Sequence, residues 1–490
     1  MNSLIAVRRL ALLGASAALA IAVSVPASGE TLQQALLKAY QTNPTLTGAR
    51  SNQRAVDENV PIQKAAGRPN LGASGSYSES ILKPTISFTS PQRTASANAQ
   101  LTVPIYAGGA VKNGVQGAKV RVEAGRANLR GTEASIFSQV VAAYMDVIRD
   151  SAIVSLNRAN VGVLEVNLQA TNDRFQVGDL TRTDIAQSES RLALARSDLQ
   201  TAEANLIRSR ENYIALVGSP PDNLETPPPL PNLPQSPDVA VQVAVADNPD
   251  ILSAKKQREA AFYDVRVARA AAKPTINAFT QAGYTNYLKT LDNGGGTANS
   301  AQINKQAAAG VELNVPLYQG GRPAAQVRQN QALESQAIER EIEVERGVIA
   351  QVRAAYASWQ ASLQTIASSQ TAVNATALSL EGVRAENSVG SRTILDILNA
   401  EQEALISRVE LVSAQRNAYV AGFSLLASMG HAEADDLGLD AGVLYDPVQN
   451  YNRIKNKLLD WGGDPAPVPV ATRTVDTPAQ NAKVAPDTSK

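Results

Sequence analysis

The sequence predicts an α+β membrane protein made by internal duplication, each half supplying two amphipathic strands and two very long helices. Three observations lead there. A strand-to-helix motif and a helix-turn motif each occur twice, 212 residues apart. Alternating apolar and polar residues mark a strand pair at matching places in both halves, and heptad spacing marks the helices. The composition agrees: 44% of residues are hydrophobic but only 4% aromatic, the small-residue content of closely packed helices.

Residues 1–27 read as a secretory signal peptide. Arg8 and Arg9 precede an uncharged apolar run from Leu10 to Val25, closed by Pro26 and Ala27-Ser28. A basic head, a short apolar centre and a small-residue exit are the parts of such a leader. The other reading is a membrane anchor, but the run of 16 residues is shorter than the roughly 20 that a spanning helix needs. No cysteine follows to carry a lipid. No second long uncharged apolar stretch occurs, so any membrane the mature chain crosses must be crossed by strands.

The first repeat is expected over 28–218 and the second over 238–430. Val103-Pro104-Ile105-Tyr106-Ala107-Gly108-Gly109 returns as Val315-Pro316-Leu317-Tyr318-Gln319-Gly320-Gly321. Ala143-Tyr144 returns as Ala355-Tyr356, Val177-Gly178 as Val389-Gly390 and Asp184-Ile185 as Asp396-Ile397, all at the same offset. Upstream, Asn43-Pro44 matches Asn248-Pro249 and Pro69 matches Pro274 at 205, so a longer loop is expected at 291–300, with Gly294-Gly295-Gly296. Between the repeats, 219–237 is a linker with eight prolines, too donor-poor for helix or sheet. A C-terminal segment follows at 431–461, and the Pro-, Ala- and Thr-rich tail 462–490 is expected to be disordered.

Leu71, Ala73 and Tyr77 alternate with Asn70, Ser74, Ser76 and Ser78, and Ala99, Leu101, Val103 and Ile105 with Gln100, Thr102 and Pro104. The second half repeats this at Ile276, Ala278 and Ala282 and at Val311, Leu313, Val315 and Leu317. A soluble half-buried sheet and a membrane barrel share this pattern; seven of the 21 aromatics falling in these stretches, behind a signal peptide, point to the barrel. From about Val111 to Gln176 there is no proline, enough for a helix on the order of 100 Å. After Val177-Gly178, Ile185, Leu192, Leu199, Leu206 and Tyr213 repeat by seven, with Ala195 and Ala202 beside them. Ile397, Ala404, Leu411, Ala418 and Leu425 keep the register in the second copy. In the first long helix Val115, Val122, Leu129, Ile136 and Ala143 repeat likewise, whereas its counterpart carries Glu334 and Glu341 on that stripe. These are coiled-coil seams, and the Val-Gly turns join them into two antiparallel hairpins. A generic helical bundle fits the helices equally well.

The chemistry available is narrow. There is no cysteine and a single histidine, His431, a helix-end cation site or a solvated residue, so thiol, Cys-zinc and most imidazole chemistry is absent. No catalytic motif, cofactor or metal site is expected. With 45 basic and 45 acidic residues the chain has no net field to draw nucleic acid. Strand number decides between bundle and duct. Four strands cannot close a barrel, and membrane strands leave no edge unpaired, so the chain must share a barrel with copies of itself. Two copies give eight strands, filled by their own side chains; three give twelve and room for a channel.

These features resemble the TolC family of outer-membrane export ducts. The resemblance covers roughly Thr31 to Gly430 and rests on the two Val-Pro-(Ile/Leu)-Tyr-x-Gly-Gly transitions, the Arg174-Phe175-Gln176-Val177-Gly178 turn, and the run from Ser388 to Asp396. It implies a homotrimer in the outer membrane: a twelve-stranded β-barrel in the lipid, four strands per chain, continued by a long α-helical periplasmic barrel. It also implies docking, through a periplasmic adaptor, to an inner-membrane ABC or RND transporter, with passive passage of cargo by type I secretion or multidrug efflux. The missing lipidation cysteine favours the non-acylated branch. The alternative is a soluble periplasmic adaptor or coiled-coil scaffold, against which two hairpins with matched strand pairs argue.

The resemblance further implies a periplasmic gate. An arginine and a tyrosine of the second turn hold an aspartate of the first; the matching residues are Arg392 and Asp184, with Asn387 at the tyrosine position. Of two entrance-lining aspartates, the first matches Asp396 and the second is Asn399, with Gln187 as a further lining residue. A helix-end salt bridge of about 0–1 kcal/mol is the plain alternative. Pro69, Pro104, Pro274 and Pro316, with Gly108-Gly109 and Gly320-Gly321, are expected at the barrel–coil transitions, where the glycines act as backbone swivels rather than as a phosphate loop.

Overall fold

The computed structural model describes residues 29–82, 91–291, 301–439 and 444–484. The expected signal peptide and glycine-rich loop lie outside them. Helices α1 (Leu32–Thr42), α2 (Pro44–Asp57) and α3 (Asn59–Ala65) lead to strands β1 (Asn70–Glu79) and β2 (Arg93–Ala107). Then come α4 (Ala110–Gln176) and α5 (Arg182–Val217). The second half is α6 (Pro237–Asp247), α7 (Pro249–Ala270), β3 (Thr275–Asn286), β4 (Ile303–Asn314), α8 (Arg322–Ser388) and α9 (Ile394–Met429), followed by α10 (Pro447–Ile454). Both long helices have 67 residues, about 100 Å, and both return helices have 36.

The repeated sequence marks are repeated joints. Asn43 and Asn248 cap α2 and α7 ahead of a proline at the first helical position, each side chain accepting two backbone N–H groups. Each also reaches across its own repeat: Asn43 Nδ2 donates to the Leu216 carbonyl at 2.9 Å and Asn248 Nδ2 to that of Ser428 at 2.8 Å. The Tyr144 hydroxyl donates to the carbonyl of Glu225 at 2.6 Å and that of Tyr356 to Gln235 at 3.0 Å. Both tyrosines thus tether the linker, and residues 218–236 contain neither helix nor strand. Gly108 and Gly320, at φ 62° and 61°, turn the chain from strand into helix through a left-handed conformation that glycine adopts without strain.

The four strands form one antiparallel sheet in the order β1-β2-β3-β4. Its register separates two faces. Leu71, Leu101, Val103, Ala278, Val311 and Leu313 share one, with Tyr77 and Tyr284. The other carries Ser76, Ser96, Asn98, Gln100, Gln281, Asn304 and Gln306, and there the Ser76 and Ser96 hydroxyls meet at 2.7 Å. Leu71, Val311 and Leu313 are more than half exposed, so among the described residues no helix covers the apolar face and no strand pairs with the outer edges of β1 and β4. Pro69 and Pro274 directly precede β1 and β3, and Pro316 follows β4. Pro104 departs from expectation: it lies inside β2, at a bulge between Pro104 and Tyr106 that takes Ile105 out of the ladder. A residue without an N–H is tolerated where pairing is already broken.

The main core lies midway along the helices, where Phe137, Val140, Val141 and Tyr144 of α4 pack with Leu36 of α1, Leu206 and Tyr213 of α5 and Phe423 of α9. α4 is surrounded; α8 packs on α6, α7 and α9 and buries only Val348, Val352, Ser369 and Leu380. Glu341, on what should be an apolar stripe, pairs with Arg258 of α7 at 3.0 Å. His431 sits just past α9 with Nε2 3.2 Å from Asp247. The tail also differs from expectation. Residues 462–484 form no helix or strand, yet Arg210 donates to the carbonyls of Asn481 and Lys483, Glu211 accepts from the Gln480 N–H at 2.9 Å, and Ala482 and Val484 pack on the main core.

Candidate functional site

The far ends of the two hairpins come together, and their geometry begins with local caps. Gly178 donates its N–H to the Phe175 carbonyl and Asp179 to that of Arg174, both at 2.9 Å; Gly390 and Ser391 do the same to Asn387 and Glu386 at 3.0 Å. This is a Schellman ending, with Gly178 and Gly390 at φ 84° and 81°. Three residues later Thr181 and Thr393 start the return helices. Each exchanges hydrogen bonds with the carboxylate three residues on, Thr181 with Asp184 and Thr393 with Asp396, forming capping boxes. Both carboxyls are held below the usual aspartate range by the threonine hydroxyl and N–H. Val177 and Val389 stand exposed at the two tips.

The expected gate pair does not meet within one chain. Asp184 Oδ2 takes both Thr181 bonds, at 2.8 and 2.7 Å, while Arg392 Nε pairs with Glu386 at 2.7 Å. Asn387 donates to the Arg392 carbonyl at 2.7 Å and so braces its own turn. The first turn holds the reverse pair, Arg174 to Asp179 at 2.8 Å. The side chains at both tips are thus engaged locally, and Oδ1 of Asp184 and Oδ1 of Asp396 accept no hydrogen bond among the described residues.

What joins the hairpins lies one to two turns further in. Leu398 of α9 is inserted among Val161 and Leu164 of α4 and Leu192 and Ala195 of α5. Beside it Asn399 accepts from Arg191 of α5 at 2.7 Å, so one expected entrance residue does link the two halves. Next comes Glu401, only 5% exposed. Its carboxylate accepts from Arg384 of α8 at 2.9 Å and, with both oxygens, from Asn167 of α4 at 3.2 Å. Arg384 is half exposed, so losing one partner costs less than the about 3–5 kcal/mol of a fully buried pair, most of it in leaving the Glu401 carboxylate stranded. Sequence reasoning missed Glu401 and the threonine caps. The caps were readable as Thr-x-x-Asp before each apolar run, whereas Glu401, between Ala400 and Gln402, looks like a surface residue. Gln187 lies on α5 one turn from Arg191. Among the described residues no acidic or histidine cluster could hold a metal ion, and no helix is long and apolar enough to cross a membrane.

A four-stranded sheet with one apolar and one polar face, set on two long coiled-coil hairpins that join a few turns behind their tips, defines a membrane-anchored helical channel subunit. The chain belongs to the outer membrane efflux protein family, whose pattern matches residues 35–219 and 240–431, one stretch for each repeat. It is 36% identical over 438 residues to the outer membrane efflux protein BepC of Brucella suis, covering 89% of this chain and 92% of that one. It is 25% identical over 471 residues to the outer membrane protein TolC of Escherichia coli, covering 91% and 92%. The fold matches the crystal structure of the Campylobacter jejuni CmeC outer membrane channel with a TM-score of 0.71 at 16% identity, over 87% of this chain and 89% of that one. The expected fold relationship and outer-membrane location are therefore met, and the soluble adaptor or scaffold alternative has no support.

Proposed function

We propose that three copies of the chain build a passive exit duct: a twelve-stranded barrel in the outer membrane, continued by a tube of α4, α5, α8 and α9 into the periplasm. The sheet carries this reading. Its apolar face is uncovered and its two edges are open, and lipid tolerates neither an open edge nor a polar outer face. Pairing β1 of one copy with β4 of the next closes the barrel, with the face of Asn98, Gln100 and Gln281 turned to the lumen. Family membership supports a partner adaptor and an inner-membrane pump that supplies the energy. The duct itself does no chemistry.

The gate is assigned to the hairpin ends. Within each chain the Glu401 carboxylate and the Arg191–Asn399 bond hold the two hairpins together, and Asp184, with Oδ1 left over among the described residues, and Arg392, half exposed at its tip, act as contacts between chains. Single-channel conductance in planar bilayers tests both levels. The wild type is expected to conduct weakly, and Glu401→Ala and the Asp184→Ala, Arg392→Ala double mutant at least about twice as well, because weakly packed coils separate once a charged link is lost. Equal conductance in all three would remove the gate assignment and leave the duct; no conductance from folded protein would remove the duct.

A further inference from the structure

Outside the hairpin junction, a cavity of 470 Å³ opens where the Pro-rich linker bridges the two halves. Pockets for drug-sized ligands run about 300–1,000 Å³. One wall is apolar, made by Leu230 of the linker with Trp359 and Leu363 of α8; Leu363 is 42% exposed. That wall closes over Gly422, where a Cβ would lie 2.9 Å from Leu230 Cδ1 and 3.3 Å from Trp359 Cδ1. The lining also carries two guanidinium groups, Arg149 of α4 and Arg416 of α9.

The two arginines are not equally neutralised. Arg149 reaches Asp146 at 2.9 Å through Nη1 and Asp150 at 2.8 and 3.1 Å through Nε and Nη2. Asp150 also accepts from Ser209. Arg416 has only the Asp146 oxygen that Arg149 already uses, 2.8 Å from Nε, and the Asn417 side chain at 3.2 Å from Nη1. Its Nη2 has no such partner among the described residues, and its side chain is 21% exposed. A half-paired guanidinium and an apolar wall lining one cavity match a single negative head and a single tail.

We propose that this pocket binds an anionic amphiphile, its head on Arg416 and its tail against Leu230, Trp359 and Leu363. The site goes beyond the duct reading, since it needs neither an open gate nor passage through the lumen. Trp359 and Trp461 are the chain's two tryptophans, and Trp461 is 90% exposed, so Trp461→Phe leaves one reporter in the pocket. The probes are decanoate with a bromine at its tail end, which quenches indole emission on contact, and the same brominated chain with a trimethylammonium head. Both are titrated into the full-length protein in lipid nanodiscs. Saturable quenching is expected from the carboxylate, at least about tenfold tighter than from the cation; Arg416→Gln should cost about tenfold and Arg416→Lys much less. Equal quenching by both heads, which is membrane partition alone, would overturn the proposal. Absence of saturable quenching, as when a neighbouring copy or partner protein fills the pocket, would overturn it as well. An unchanged affinity in correctly folded Arg416→Gln would do the same. Should that variant fail to fold because Asp146 is stranded, the head-group comparison on the parent protein decides alone.

Discussion

Helices α4 and α8 have the same length and the same joints at both ends, yet α4 buries 22 of its 67 residues and α8 only four. Duplication copied the geometry and not the burial. The difference follows from position: α4 lies between α5, α7 and α9 and against α2 and α3, whereas α8 packs on α6, α7 and α9 and leaves Leu333, Ile338, Ile342 and Leu378 exposed. Large apolar side chains left exposed along one helix suit a surface that a neighbouring copy completes. A repeat protein can thus keep two equal frames while giving one the folding core and the other the contact with its neighbours.

The sharpest way to test this contrast is to empty equivalent positions. Phe137→Ala, at a fully buried site of α4, should cost about 3–5 kcal/mol. Ile349→Ala, 212 residues on and only partly buried, should cost under about 1.5 kcal/mol in dissociated chains and more in the assembled protein, read from thermal unfolding of the helical signal in each state. A loss at Ile349 that ignores assembly would break the comparison.

A smaller effect should be equal in the two halves. Asn43→Ala and Asn248→Ala each remove a helix cap and leave one end carbonyl unbonded, Leu216 or Ser428, at a cost of about 2 kcal/mol. Clearly unequal midpoint shifts would show that the repeats do not share this joint energetically.

The smallest effect should depend on pH and appear on one side only. Glu133 of α4 accepts the Ala434 N–H at 2.6 Å, and burial pushes its carboxyl up to about 7; nearby Glu433 and Asp435 push the same way, while the N–H bond and Arg50 oppose. A carboxyl whose folded value is raised favours the neutral form. The cost of ionising it is absent below about 4.5, grows as pH rises towards 7 and is complete above. Glu133→Gln should therefore stabilise the protein by about 1 kcal/mol at pH 8, with the gain fading near pH 5. The same exchange at Glu345, the α8 equivalent, should stay within about 0.5 kcal/mol in paired unfolding curves at both pH values.

Much of this architecture is written in the chain because its signals are local. Thr-x-x-Asp and Val-Gly fix both turns, Asn-Pro fixes the starts of α2 and α7, and Leu192, Leu206 and Tyr213 fall on the seam their heptads predict. What was not readable depends on contacts distant in sequence. Glu401 is buried only because Asn167 and Arg384 arrive from two other helices. Glu341 is tolerated on its stripe because Arg258 meets it. The tail, polar and proline-rich, is held by Arg210 and Glu211 of a helix some 270 residues earlier, which no compositional rule anticipates. Asp184 and Arg392 mark the case between: they stand at the two hairpin turns, and their partners within one chain are their own turns.

The Asn43–Leu216 and Asn248–Ser428 bonds bolt the beginning of each repeat to its own end. Each half is therefore a closed circuit, and the linker joins the two through the hydroxyls of Tyr144, Tyr356 and Tyr419 and through Leu230, which packs against Gly422 of α9. A chain opened inside the linker, with its natural ends joined, would redraw the connectivity without breaking either circuit. The protein is thus two parts of one frame on a common string, alike in their joints and unlike in what α4 and α8 bury.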